Sequence, residues 1–192
     1  KDKAGKVGDM RFVKGIASIG DGGADGEGLR LTAPNDAVKT RFLASRKLPI
    51  RKTLVAWVTL EDLNVTGGAV ISIINEAEKF TALVFAENQA GKWIVGSDWH
   101  KRTKNVAPSQ ETNAGEKIFI AATFDEQLKN NNVVIQMYRN GVKYGEPYRK
   151  NKNNQYLHAQ TQIFEAGTWG VLIGPRHGTS GAIDATVHQI GV

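Results

Sequence analysis

The sequence predicts an all-β fold, a sandwich of two antiparallel sheets. Apolar runs that alternate with polar residues recur at 28–32, 52–60, 69–74, 81–87, 92–95, 117–124, 133–139, 168–173 and 182–190. Gly, Asn and Pro separate them, as turns between short strands require. Helical periodicity is nearly absent, and "DEQLKNN" at 125–131 has room for one short helical turn. Many short strands punctuated by turn residues favour a sandwich over a mixed fold.

Each element has a local reason. Residues 1–27 read as an irregular N-terminal segment, ending in the glycine-rich loop "IGDGGADGEG" at 19–28. Asp21, Asp25 and Glu27 offer oxygen atoms to calcium there, but their spacing fits no EF-hand loop, so a plain flexible loop is favoured. "TLVAWVTL" at 53–60 is apolar on both faces, which suits a strand inside a packed sheet. Trp57 and Trp169 lie within strand runs and are expected in the core. "NEAEK" at 75–79 is a turn. Val133, Ile135 and Met137 alternate with Val134, Gln136 and Tyr138 up to Asn140-Gly141, the preferred pair for a two-residue hairpin because both positions need positive φ.

Composition bounds the function. A chain of 192 residues suits one domain spanning 1–192, and such a chain buries roughly 70% of its unfolded surface without a staple. The absence of cysteine removes disulfides, thiolate nucleophiles and thiolate zinc sites. No apolar run is long enough to span a bilayer and no signal peptide is visible. The chain opens on Lys1 rather than Met, as expected of an N-terminus trimmed by processing or by design. The net charge of +6 sits mostly in loops, such as Arg46-Lys47, Arg51-Lys52 and Arg149-Lys150. Without basic residues interleaved with aromatics on one face, nucleic acid is a weak partner.

The order of motifs carries a resemblance. "KTLVAWVTL", "GGAVISI", "KIFIAATFD", "VVIQMYRNGVKYG", "VLIGPRHG" and "GAIDATVHQIGV" resemble, in that order, the core strands of concanavalin-A-like, laminin-G-like domains over residues 28–192. "FTALVFAENQAGKWIVGSDWHKRT", "YGEPYR" and "GPRHG" look like the laminin-G-like domain embedded in large exported bacterial proteins that also carry c-type haem domains. This chain stops at Val192, where such domains continue, and has no C-x-x-C-H. The resemblance implies a jelly-roll sandwich, an extracytoplasmic location, and a non-catalytic module for carbohydrate or for neighbouring domains of a parent protein.

The chemistry candidates narrow accordingly. Paired glycosidase carboxylates stand about 5–10 Å apart, and the E-x-D-x-(x)-E pattern of hydrolytic relatives is absent. Glu76 and Glu78 fall in the predicted turn, and Glu61-Asp62 would point to opposite faces. His100, His158, His177 and His188 form no H-x-H or H-x-x-x-H pair, so no metal or other cofactor and no catalytic residue is expected. The polar residues shared with the similar domains are the binding candidates: Asp98, Arg102, Arg139, Tyr148, Arg176 and His177, with Trp93 and Trp99 as flat faces for sugar rings. The structural alternative is an internal ion-pair network that braces loops.

Overall fold

The structure, a computed structural model, describes residues 10–14, 18–20, 28–32, 36–40, 47–97, 101–102, 109–127, 132–147 and 163–192. In chain order the strands are β1 (Met10–Lys14), β2 (Ser18–Gly20), β3 (Gly28–Leu31), β4 (Ala37–Thr40), β5 (Lys52–Asp62), β6 (Ala69–Asn75) and β7 (Phe80–Phe85). They continue with β8 (Trp93–Ser97), β9 (Lys101–Arg102), β10 (Lys117–Gln127), β11 (Asn132–Arg139), β12 (Val142–Lys143), β13 (Trp169–Gly174) and β14 (Asp184–Gly191). Sheet I has the order β1-β4-β13-β6-β7-β8-β9 and sheet II the order β12-β11-β10-β5-β14-β3-β2, with antiparallel neighbours throughout. The fold is the predicted all-β, two-sheet jelly-roll sandwich.

The main core lies between the sheets. Leu54, Ala56, Val58 and Leu60 of β5 belong to one buried cluster with Ile71, Ile73, Leu83, Phe85 and Trp93 of sheet I. Each fully buried Leu, Ile or Phe contributes about 1.5–3 kcal/mol, so this layer dominates stability. Sheet I carries a second buried cluster, formed by Ala37, Ala69, Ile74, Phe80, Ala82, Val84, Ile94 and Leu172. Its strands β6, β7, β8 and β13 are therefore buried on both faces. Part of the cover over Phe80 is His177, whose ring stacks 4.8 Å away at 27°.

Four sequence expectations change. Two-sided burial belongs to those strands and not to β5, which alternates buried with more exposed residues. Its outward residues, Val55 and Trp57 among them, are apolar enough to hide that alternation. Residues 125–127 extend β10 instead of forming a helical turn, while 128–131 lie outside the described residues. The N-terminal stretch contributes β1 and β2. Trp57 is 40% exposed, whereas Trp169 is in the core as expected.

Backbone geometry explains the tight connections. Asn140 and Gly141 have φ of 49° and 82°, the pair of positive values that this hairpin turn demands. The Asn140 amide N–H donates to Phe119 O at 2.8 Å, and its Oδ1 accepts from the Phe119 N–H at 2.8 Å. At Gly181 the need is space: a Cβ there would stand 1.9 Å from Gly67 O.

At one end of β5, Lys52 follows the inward parity of Leu54 and is buried. Its Nζ donates to Pro49 O at 3.1 Å and lies 5.1 Å from the Phe124 ring centroid. Burial lowers its pKa to about 7. The folded state then binds fewer protons than the unfolded chain between pH 7 and about 10.4. Stability is expected to rise with pH across that window, by at most about 1.4 kcal/mol per unit, and to be lost as pH falls toward 7. Urea unfolding at several pH values checks this, and Lys52→Met should flatten the profile. A second outcome concerns the hairpin. Nothing lies within 4 Å of a Cβ at Gly141. Gly141→Ala is therefore expected to cost only the conformational penalty, about 1 kcal/mol, in the same unfolding measurement.

Candidate functional site

The candidates from sequence divide into distinct local settings. Asp98, Trp99 and Tyr148 lie outside the described residues, as does the side chain of Arg102, whose backbone pairs with Gly96 in β9. Trp93 is a correction: its ring is 1% exposed, so it has no open face for a sugar. The ring packs 5.0 Å from Phe85, and Nε1 donates to Glu111 Oε1 at 2.9 Å.

Glu111 joins Trp93 to Arg139. The Arg139 fork donates from Nε to Glu111 Oε1 at 2.8 Å and from Nη2 to Oε2 at 2.9 Å, and Nη2 also reaches Glu116 at 3.1 Å. These carboxylates, Glu111 first, push the Arg139 pKa further above its ordinary value. Tyr144 closes the cluster: its hydroxyl donates to Ser109 O at 3.0 Å and accepts from the Trp93 amide at 3.3 Å. Burial is the main cause that raises the Tyr144 pKa. Neither Glu111 nor Tyr144 is a candidate from sequence. Glu111 stands in the polar loop "SQETNAGE" and looks there like any solvated acid.

Arg176 and His177 follow β13, in a turn where the Arg176 N–H donates to Ser180 O at 2.9 Å. Arg176 Nη1 donates to Gly67 O at 3.1 Å, and Nε stands 3.4 Å from Glu87 Oε1. Ser72 Oγ donates to Arg176 O at 2.6 Å, fixing the turn on sheet I. The structure thus joins Trp93 with Arg139 and Arg176 with His177, and the two arginines face different carboxylates.

The open surface lies on the other side of the molecule's second layer. With Leu54, Ala56, Val58 and Leu60 directed into the core, Val55, Trp57 and Thr59 point outward from sheet II. Trp57 stands opposite Phe119, with ring centroids 5.0 Å apart and planes tilted by 46°. A bulge in β14 between Val187 and Gln189 brings two consecutive polar side chains to this face. Gln189 pairs with Trp57, while His188 Nε2 lies 2.9 Å from Thr59 Oγ1. Farther along, Thr186 Oγ1 donates to Glu61 Oε1 at 3.0 Å, and Arg30 pairs with Asp184 at 2.5 Å. A flat apolar surface framed by amide, imidazole, hydroxyl and carboxylate groups suits a ligand with both apolar faces and polar edges.

Glu76 and Glu78 are both exposed in the turn after β6. Among the described residues no group of three or more His, Cys, Asp or Glu is placed to hold a metal ion, and no helix is long and apolar enough to cross a membrane. Asp21, Asp25 and Glu27 lie outside the described residues.

No family model and no curated protein matches the chain. Among solved structures it is similar to peanut lectin with the 9mer peptide PVIWSSATG, at 8% identity and a TM-score of 0.41, over 100% of this chain and 95% of that one. What the molecule does has to be read from its own geometry.

The Glu111 cluster gives a direct test. Its carboxylate is 5% exposed, so Arg139→Ala leaves a buried charge without its main partner. The expected cost is about 3 kcal/mol, read as a lowered Tm. Glu111→Gln, which keeps an acceptor for Trp93, should cost less. An unchanged Tm in Arg139→Ala would show that the cluster braces nothing.

Proposed function

We propose that this chain is a non-catalytic, concanavalin-A-like module that binds carbohydrate on the outer face of sheet II. The observation that carries the reading is Trp57, a large aromatic residue 40% exposed on an ordered strand and buttressed by Phe119. The apolar face of a sugar ring packs on such a surface, while its hydroxyls find Gln189 and the other polar groups alongside. By analogy with aromatic pairs, the stacking contributes about 0.5–1.5 kcal/mol beyond area. A shallow, open face of this kind gives weak affinity, on the order of 10 μM to 1 mM, or about −4 to −7 kcal/mol. An extracytoplasmic setting within a larger exported protein goes with the family resemblance. The stretch bearing Asp98, Trp99 and Arg102 is the competing location for a ligand.

A glycan array of neutral and acidic polysaccharides tests the proposal, with wild type, Trp57→Ala and Trp99→Ala compared. Trp57→Ala is expected to lower affinity about tenfold, or ~1.4 kcal/mol, with little change in Tm. Loss in Trp99→Ala alone would move the site to the stretch around Trp99. Silence across the array would leave docking against a neighbouring domain as the reading.

A further inference from the structure

The exposed aromatic pair has a charged neighbour. On β10, Ile118 and Ile120 enter the core, so Lys117 and Phe119 point outward from sheet II. Lys117 stands opposite Thr59 and diagonal to Trp57, a spacing of about 7–8 Å that a long side chain bridges. Among the described residues, Trp57 is bordered along and across the strands by Val55, Thr59, Lys117, Ala121 and Gln189, besides Phe119. These positions carry one formal charge, the ammonium of Lys117. Trp57 and Gln189 are exposed, and Lys117 and Phe119 are half-buried, so the surface is open to solvent. The acid on the same face of β5, Glu61, lies on the far side of Thr59, roughly 13 Å from Trp57, and accepts from Thr186. Asp125 pairs with Arg51, and Glu116 with Arg139. Lys143, exposed opposite Tyr138, adds a second ammonium to the outer face. The charge nearest the ring pair is thus positive, on a chain whose net charge is +6.

We infer that the sugar bound on this face carries an anionic group at the edge of its ring, as a uronic acid does, and that Lys117 selects it. The inference rests on the carbohydrate reading of the face and adds the chemical class of the ligand. In a uronic acid the carboxylate is an exocyclic substituent that projects from the rim of the ring and not from its flat face. The ring lies on the indole while the carboxylate reaches sideways to the ammonium, so the two contacts do not compete. A sulfate ester at the same rim position is the other source of such a group. A neutral sugar keeps the stacking and the amide of Gln189 but gains nothing from Lys117. An ion pair on an open face is screened by water and salt, so the discrimination is modest.

The test is titration calorimetry of the whole chain with matched sugars in the gluco, galacto and manno series. Each series supplies the neutral glycoside, its uronic acid and its sulfate ester on one ring stereochemistry. In a series that binds, the uronic acid is expected to bind about fivefold tighter than the neutral sugar, or ~1 kcal/mol. Added sodium chloride should shrink that advantage. Lys117→Gln should bring the neutral and acidic members together, and Lys117→Arg, which keeps the charge, should retain the difference. Trp57→Ala should weaken both. An equal gain for the sulfate ester supports recognition of charge at the rim, and a gain for the uronic acid alone supports recognition of the carboxylate itself. Equal affinity for the neutral sugar and both anionic ones, or a preference that survives Lys117→Gln, overturns the role of Lys117 while the carbohydrate reading stands. No binding in any series overturns the carbohydrate reading and this inference with it.

Discussion

Along β5 each single step turns the side chain to the opposite face of sheet II, so Leu54, Ala56, Val58 and Leu60 enter the core only if Val55, Trp57 and Thr59 leave it. A slip of one residue would bury Trp57 and push four core aliphatics into water, which is why the register is firmly held. The strand is hydrogen-bonded on both sides, to β10 and to β14, and has no free edge along which to slide. The core and the open aromatic face are therefore two results of one parity. The bulge at His188 adjusts the second of them locally: β14 keeps Ala185 and Val187 in the core and still sets both His188 and Gln189 near Trp57.

Away from that face, polar side chains are used for bracing. The Trp93–Glu111–Arg139 group joins β8 of sheet I, the loop before β10 and β11 of sheet II through one buried carboxylate. Arg176 ties the turn after β13 to the loop at Gly67, where glycines let the backbones approach. A buried carboxylate is tolerable because indole and guanidinium donors meet both of its oxygens. Such groups specify how loops sit on the sandwich, and they contribute little open surface for a ligand.

Much of the fold was legible because strands write a period of two into the sequence. All nine apolar runs are strands, and Asn140-Gly141 makes the expected turn, since both residues accept the positive φ it requires. The short strands β1, β2, β4 and β9 were not legible, because two to five residues give too little alternation to stand out. The site was less legible still. Trp57 and Trp93 each sit in an apolar run, and sequence cannot say which face of a sheet is covered when both faces are apolar. Trp93 faces the core between the sheets and is hidden there, while Trp57 points to the outer face of sheet II and shows. Glu111 gave no signal because its partners lie 18 and 28 residues away.

The two-sided burial of sheet I has a consequence for how the molecule breathes. Strands β6, β7 and β13 bond to neighbours along both edges and lie under apolar side chains above and below. Their amides reach water only when the whole sandwich opens, so they form the slowest-exchanging unit and report global stability. Sheet II is wet on one face, and its edge at β12 is two residues long, so small local openings can release hydrogens there without disturbing the rest. The layer that offers the recognition surface is thus the more yielding of the two, backed by one that moves only when everything does.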